Sequence, residues 1–297
     1  MKQEVAEKKV KKKKKKSPIL FIAIALMLAS IGALGYFGYD YFLYWQDGRA
    51  AQGQTDTVRD MFQEQMNDMN QLIVAAAHTN GASSGATAEP TIMTISFDTS
   101  PLDEARELTE NPDIIGFLFV EGTNITNVIL QGRDNYFYLH RDMFGNHNVN
   151  GSVFMDFRNS PDFTDRNTIL YGHNMNNGTM FHNVRYYMQR EFFEAHPYIK
   201  VITDDKLFIY EIFSAFSTRA DRAYRMDFDY IQVLFEDDEE FGSLVDEMMR
   251  RSVYYTGVTA SQDDRILVLS TCTNVQRNTR YVVVARLAQM FLIENEE

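Results

Sequence analysis

The feature that most constrains this chain is an uncharged apolar run near its N-terminus. Pro18 to Tyr39 contains no Asp, Glu, Lys, Arg or His. As a helix rising about 1.5 Å per residue, the run reaches the roughly 30 Å of a bilayer core. A cleaved signal peptide usually has a shorter apolar stretch. Residues 18–39 are therefore predicted to be an uncleaved transmembrane signal-anchor.

The residues on either side of this run predict its orientation. Residues 1–17 carry nine lysines and two glutamates, a local charge of +7, and basic flanks stay in the cytoplasm. Residues 1–17 are thus expected to form a cytoplasmic tail, and the body to lie outside the cell, in a single-pass membrane protein. An interfacial aromatic belt is expected on the outer side, at Tyr36, Tyr39, Tyr41, Tyr44 and Trp45.

The charge of the body argues against nucleic acid as a partner. The whole chain has a net charge of −12, which leaves about −19 for the residues after the basic tail. Phosphate binding needs a basic face, and an acidic body does not supply one. No motif typical of a metal site is present either, since H-x-x-x-H, C-x-x-C and D-x-D-x-D-G spacings are all missing from the sequence. No cofactor or metal is expected.

Residues 40–91 are predicted to be an extracytoplasmic helical segment followed by a linker. Residues 40–77 have helical periodicity, with one apolar stripe that is expected to pack on the body. Residues 78–91 are rich in Gly, Ala, Ser and Thr, which is typical of a linker or long loop. The stripe consists of Val58, Met61, Phe62, Met66, Met69, Leu72 and Ile73.

Residues 92–297 are predicted to form one domain, mainly β with flanking helices. Eight or nine short β-like runs are separated by turn residues, which favours a closed antiparallel barrel of about eight strands. Two helices, at 179–196 and 236–253, interrupt the strands. The predicted strands lie in IIGFLFVEGTNI, NVILQG, NYFYLH, GSVFMDF, TILYGH, IKVIT, KLFIYEIFSAF, RILVLST and RYVVVARL.

The chain has one cysteine, Cys272, at the end of the apolar run ILVLST. An exported protein with one cysteine has no internal disulfide, so this residue forms an intermolecular bridge, is a reactive thiol, or is a small buried hydrophobe. If ILVLST and RYVVVARL form a hairpin, Cys272 and Arg280 flank the same loop. Arg277 lies inside that loop and Arg286 at the far end of the strand, which makes Arg280 the arginine best placed beside the thiol.

Histidine supplies the second candidate group. His173 follows the strand TILY and a glycine and opens the polar loop NMNNG, which is the same strand-end environment as that of Cys272. Pairing of a cysteine with a histidine that comes from elsewhere in the chain is the usual arrangement for thiol catalysis. The other five histidines lie in the linker, on the first predicted helix, or beside the turn RDMFGN: His78, His140, His147, His182 and His196.

These motifs in this order resemble the sortases, membrane-anchored cysteine transpeptidases of Gram-positive bacteria. The sequence contains YGHNMNNGTMF and then LVLSTCT, whose cysteine lies eight residues before the arginine that opens RYVVVARL. This is similar to the family pattern T-L-x-T-C followed by an arginine, with Val268 in place of the first threonine. NPDIIGFLFVEGTNI, GSVFMDFRN and the helix at 236–253 resemble class B, over about residues 105–293. Class B members often have Tyr-Pro at positions 126 and 127 and Trp at position 117, where this chain has Thr126, Asn127 and Phe117.

The resemblance implies a site and a reaction. Cys272 would be the nucleophile, His173 the general acid and base, and Arg280 the group that binds substrate and stabilises the oxyanion; Ser270 and Tyr171 match positions near the peptide-binding groove. The substrate would be a surface protein with a C-terminal sorting signal resembling Asn-Pro-x-Thr-Asn, cleaved after Thr and transferred to an amino group of a lipid-linked peptidoglycan precursor. Two alternatives stay open: a pilin-polymerising enzyme with a lysine acceptor, and a catalytically silent membrane-tethered binding protein.

Overall fold

The computed structural model describes residues 18–62, 92–219, 228–272 and 279–294. It divides into two compact units, one ending at Gln46 and the other beginning at Asp47. The first unit contains most of the long helix α1 (Pro18–Met61). Within α1, Phe21–Ala50 is long and apolar enough to cross a membrane. The predicted apolar helix is thus present.

The second unit is a β-barrel with helices around it. Its elements follow one another in this order: β1 (Ile92–Ser96), α2 (Ser100–Thr109), β2 (Ile114–Val120), β3 (Thr126–Leu130), a 3₁₀ turn (Tyr138–His140), β4 (Phe154–Met155), β5 (Asn167–His173), a 3₁₀ helix (Phe181–Met188), α3 (Arg190–Ala195), β6 (Tyr198–Ile202), β7 (Lys206–Arg219), α4 (Asp238–Arg251), β8 (Ile266–Cys272) and β9 (Thr279–Glu294).

Eight of these strands close the barrel. The order is β9-β7-β6-β2-β3-β4-β5-β8, and β8 pairs again with β9. β1 lies outside the ring and pairs in parallel with the end of β9. The prediction of a closed barrel of about eight strands is confirmed.

The barrel is mixed, whereas the sequence pattern predicted an antiparallel one. The pairs β3–β4 and β5–β8 are parallel. A parallel pair needs a long crossover connection, and the chain between β5 and β8, which contains α3, β6, β7 and α4, supplies it. Residues 167–173 of β5 and 266–271 of β8 are buried, which is typical of parallel strands covered on both faces.

Other local predictions differ from the structure in physically understandable ways. NYFYLH was predicted to be a strand, but Tyr138–His140 forms a 3₁₀ turn. The Asp134 side chain accepts hydrogen bonds from the backbone N–H groups of Tyr136 and Phe137 at 2.9 and 2.8 Å, and such a local bond competes with strand pairing. The first predicted interrupting helix is divided, since a 3₁₀ helix ends at Met188 and α3 begins at Arg190.

Helix α4 agrees closely with its prediction. Asp237 caps its N-terminus by accepting a hydrogen bond from the Glu240 N–H at 2.8 Å. Acidic residues occupy its first turn and Arg250 and Arg251 its last, both favourable with the helix dipole. Its apolar stripe enters the core, with Phe241, Leu244, Val245 and Met248 buried.

The last turn of α1 also packs into this core. Val58 and Phe62 are buried, and the Phe62 ring stacks on Phe117 with 3.9 Å between the centroids. This agrees with the first part of the predicted apolar stripe. The rest of that stripe, from Met66 to Ile73, and the linker at 78–91 lie outside the described residues.

Candidate active site

Two of the predicted site residues lie side by side at the ends of neighbouring strands. β5 and β8 pair in parallel along their full length, and the last partners are His173 and Cys272. Adjacent strands lie about 4.8 Å apart, so a sequence separation of 99 residues becomes one strand spacing. The side chain of Cys272 lies outside the described atoms, and its position is given by the backbone register.

His173 is held by the segment that precedes β4. The residue is 2% exposed, and its Nε2 lies 2.8 Å from the backbone oxygen of Leu139. A carbonyl oxygen only accepts, so Nε2 carries the hydrogen in this bond. The bond therefore orients the ring and directs the second nitrogen, Nδ1, away from Leu139.

Arg280 lies beside the residue that precedes the cysteine. β8 and β9 form an antiparallel pair whose recorded register ends at Ser270 and Val282. Beyond it, the Arg280 Nη1 donates to the Thr271 carbonyl oxygen at 3.3 Å, and the Tyr281 N–H donates to the Thr271 Oγ1 at 2.9 Å. The predicted hairpin is thus present, and Arg280 is positioned at the end of β8.

Tyr171 lies two residues before His173 and points into a buried polar network. Its hydroxyl donates to the Asp156 carboxylate at 3.0 Å. Asp156 also accepts hydrogen bonds from Arg158, at 2.8 Å to each carboxylate oxygen, and from the Asn135 side-chain amide at 2.9 Å. Burial opposes ionisation of Asp156, but the hydrogen bonds from Arg158 and Asn135 outweigh it, so its pKa lies below the ordinary value.

Ser270 has a comparable internal partner. Its hydroxyl lies 2.7 Å from the hydroxyl of Tyr230, and both residues are fully buried. Ser270 and Tyr171 are paired in the β5–β8 register, so the structure brings them together. Their predicted contact with substrate stays a prediction, because in this structure both hydroxyls bond to protein groups.

Three residues that sequence reasoning did not select support the site. They are Leu139, whose carbonyl orients His173, Asp156, which holds Tyr171, and Tyr230, which holds Ser270. Only Asp156 left a signal in the sequence, since a carboxylate inside the apolar run GSVFMDF needs a partner. A backbone carbonyl leaves none.

The site is consistent with a class of protein, the thiol acyl transferases with a cysteine and a histidine on adjacent strands, and comparison with known proteins defines the family. The sortase domain family matches residues 118–288. Sortase B of Listeria monocytogenes is 38% identical over 171 residues, which cover 57% of this chain and 67% of that protein. Sortase B of Staphylococcus aureus is 36% identical over 182 residues, which cover 61% of this chain and 72% of that protein.

Solved structures agree with this. The Staphylococcus aureus sortase B–substrate complex superposes with a TM-score of 0.58 at 30% identity, covering 78% of this chain and 98% of that one. A sortase B complexed with triglycine superposes with a TM-score of 0.58 at 30% identity, covering 76% of this chain and 98% of that one. The chain belongs to the sortase family, as a class B sortase transpeptidase. The predicted family is thereby confirmed.

Proposed function

We propose that Cys272, His173 and Arg280 are the catalytic groups of this transpeptidase. The observation that carries the proposal is the register at the barrel rim. His173 and Cys272 are cross-strand partners, and the Arg280 guanidinium bonds to the carbonyl that immediately precedes Cys272. A base and a cation beside one strand end are what an ordinary thiol, with a pKa of about 8.5, needs to act as a nucleophile near neutral pH.

His173 is proposed to exchange protons through Nδ1. The hydrogen bond from Nε2 to Leu139 fixes the tautomer, so Nδ1 of the neutral ring is the nitrogen that accepts a proton. Burial of the ring keeps water from competing for this transfer. General acid–base catalysis of this kind contributes about 10²–10⁴-fold.

Arg280 is proposed to stabilise the oxyanion. A guanidinium presents several N–H donors in one plane, and the bond to the Thr271 carbonyl holds this group at the end of β8. A charge-assisted hydrogen bond is strongest where negative charge develops, which is at the substrate carbonyl oxygen during attack.

The reaction has two half-steps. The Cys272 thiolate attacks the carbonyl carbon of the sorting-signal threonine, a C–S bond forms, the peptide C–N bond breaks, and His173 gives a proton to the leaving amine. An acceptor amine then attacks the thioester, His173 takes its proton, and the C–S bond breaks as a new amide forms. No oxidant or reductant is consumed.

The substrates are proposed from the family. As a sortase, the chain acts on proteins that bear a sorting signal and on amino-group acceptors. We assign an Asn-Pro-x-Thr-Asn-like signal and an amine of a lipid-linked peptidoglycan precursor. A sortase B structure that contains triglycine supports a short peptide amine as the acceptor, and we propose that Ser270 and Tyr171 lie near the peptide-binding groove.

The chain is proposed to be anchored in the cell membrane through residues 18–39, with residues 1–17 in the cytoplasm and residues 40–91 leading to a catalytic domain at 92–297 outside the cell. The apolar helix and the lysine-rich flank support this arrangement. Anchoring holds the enzyme at the surface where exported substrate and lipid-linked acceptor both lie, which raises their effective concentration.

A ligation assay tests the proposed function. The full chain in detergent is given a labelled sorting peptide and an amine acceptor, and ligated and hydrolysed products are quantified. Wild type is expected to make both, and Cys272→Ala neither. Ligation by Cys272→Ala would overturn the assigned nucleophile, and no reaction by wild type with any peptide of a signal library would favour a silent binding protein.

A further inference from the structure

A surface cleft lies next to the His173 side of the site. It has a volume of about 480 Å³ and is formed within residues 133–147. The ring centroid of His140, which lines the cleft, is 6.2 Å from that of His173. The cleft therefore begins one side chain away from the proposed acid–base group. Its lining includes Arg133, Asp134, Tyr136, His140, Arg141 and His147.

Internal contacts hold the Arg141 side of the cleft. The Arg141 side chain donates to the Gly145 carbonyl at 2.8 Å, and its guanidinium lies 4.8 Å from the Phe137 ring centroid. Asp142 accepts hydrogen bonds from the N–H groups of residues 144 and 146, at 3.0 and 2.9 Å. Pre-organised donors bind with little ordering cost.

The cleft is cationic on an acidic body. Arg133 and Arg141 outweigh Asp134 even with both histidines neutral, while the chain after residue 17 carries about −19 in total. One Asp134 oxygen is already occupied by two backbone N–H groups. A local positive site in an otherwise negative field attracts anions selectively, and a guanidinium is suited to carboxylates and phosphates.

We propose that this cleft binds an oxyanion of the amine-bearing acceptor, a carboxylate or a phosphate, while the amine reaches the thioester at Cys272. The inference rests on the proposed function. His173 and Cys272 are cross-strand partners, about 4.8 Å apart, and the His140 ring lies 6.2 Å from the His173 ring, steps comparable in sum to the roughly 10 Å of an extended tripeptide. The exposed Tyr136 ring at the rim offers a flat surface for the acceptor backbone.

The test compares two acceptors that differ only in charge. Wild-type enzyme is given triglycine or triglycinamide, and ligation and hydrolysis of the same sorting peptide are measured. We expect triglycine to have a KM about fivefold lower, the size of one exposed ion pair. Arg133→Glu should remove this preference. The rate of hydrolysis, measured in the same reaction, is the internal reference for the rate of ligation. Arg250→Glu is the matched control, because Arg250 is exposed on α4, outside the cleft, and the change in net charge is the same.

A second measurement distinguishes the source of the oxyanion. Inorganic diphosphate is added to the reaction with triglycinamide. If diphosphate inhibits ligation but not hydrolysis, and Arg133→Glu relieves the inhibition, the cleft binds a phosphate. If wild type prefers triglycine and diphosphate does not inhibit, the cleft binds a carboxylate. The proposal is overturned if wild type shows neither effect, or if Arg250→Glu acts like Arg133→Glu. Hydrolysis in every reaction reports acyl transfer to water, so failure of the cleft is separable from failure of the proposed function.

Discussion

Replacement of Asp156 by asparagine tests the polar network behind Tyr171. The Asp156 side chain is fully buried and accepts hydrogen bonds from Arg158, Asn135 and Tyr171. An amide has one acceptor oxygen, and its nitrogen only donates. With its oxygen at the Oδ2 position, the new amide still accepts from Asn135, Tyr171 and Arg158 Nη2, and the Arg158 Nε and backbone N–H lose their acceptor; in the opposite orientation the first three donors lose it.

The structure gives the size of the effect. A hydrogen bond to a charged acceptor contributes about 1.5–3 kcal/mol to stability. The Arg158 side chain is 39% exposed, so its Nε can turn to water, whereas the charge that strengthened every remaining bond to residue 156 is lost. We therefore expect Asp156→Asn to lower the free energy of unfolding by about 2–4 kcal/mol. In a domain of this size that lowers the thermal midpoint by roughly 5–15 °C.

The loss should depend on pH in one direction. Because the folded-state pKa of Asp156 is lowered, its ionisation stabilises the folded state above the unfolded pKa of about 3.9. This contribution is lost as the pH falls through the folded-state pKa. The difference between wild type and variant should thus be constant from about pH 5 to pH 7 and shrink below about pH 4.

Thermal and urea unfolding of the full chain in detergent, followed by near-ultraviolet circular dichroism, measures this. The matched control is Asp162→Asn, because Asp162 is exposed and bonds within its own turn, to Thr164 and Ser160; its cost should stay under about 0.5 kcal/mol. Equal losses in the two variants, or a difference that grows on acidification, would refute the reasoning.

Further substitutions have defined expectations. His173→Gln should slow acylation about 10²–10⁴-fold, and Arg280→Gln about 10²–10³-fold, as measured in single-turnover assays. Both variants should keep a near-native unfolding midpoint. An acylation rate of His173→Gln close to that of wild type would show that His173 is not a catalytic group. Gly172→Ala places a Cβ 2.6 Å from Cγ of the buried Phe181 ring, so it should cost about 1–3 kcal/mol in urea unfolding and slow acylation through the adjacent His173. Tyr230→Phe and Ser270→Ala should each cost about 1–3 kcal/mol, and the double variant less than their sum; full additivity in the double-mutant cycle would contradict the contact.

The sequence predicts the elements that carry the site better than their arrangement. β5, β8 and β9 were recognisable as apolar runs that end in polar loops, and Cys272, His173 and Arg280 stood at those ends. The parallel pairing of β5 with β8 was not predictable from periodicity, because alternation shows which face is buried and not which strand is the neighbour. The prediction of antiparallel pairing was wrong at β5–β8 for that reason, and right for most pairs of the barrel.

The missed elements have local causes. α2 begins at Ser100 and is only ten residues long, with four of them buried, so it offers few turns over which a helical period can be recognised. β1 is an edge strand of five residues, and among the described strands it pairs with β9 alone. The Leu139 carbonyl acts through its backbone, and its role depends on the turn that Asp134 imposes rather than on the identity of residue 139.

The most direct test of the central claim is the mass of the enzyme trapped during turnover. Full-length protein is mixed with a sorting peptide without an acceptor amine, quenched in acid and digested. We expect a thioester adduct on the peptide that contains Cys272. The adduct should accumulate in Arg250→Glu as it does in wild type, and it should form far more slowly in His173→Gln. An adduct on another residue, or turnover without any adduct, would contradict the assignment of Cys272 and its cross-strand partner His173.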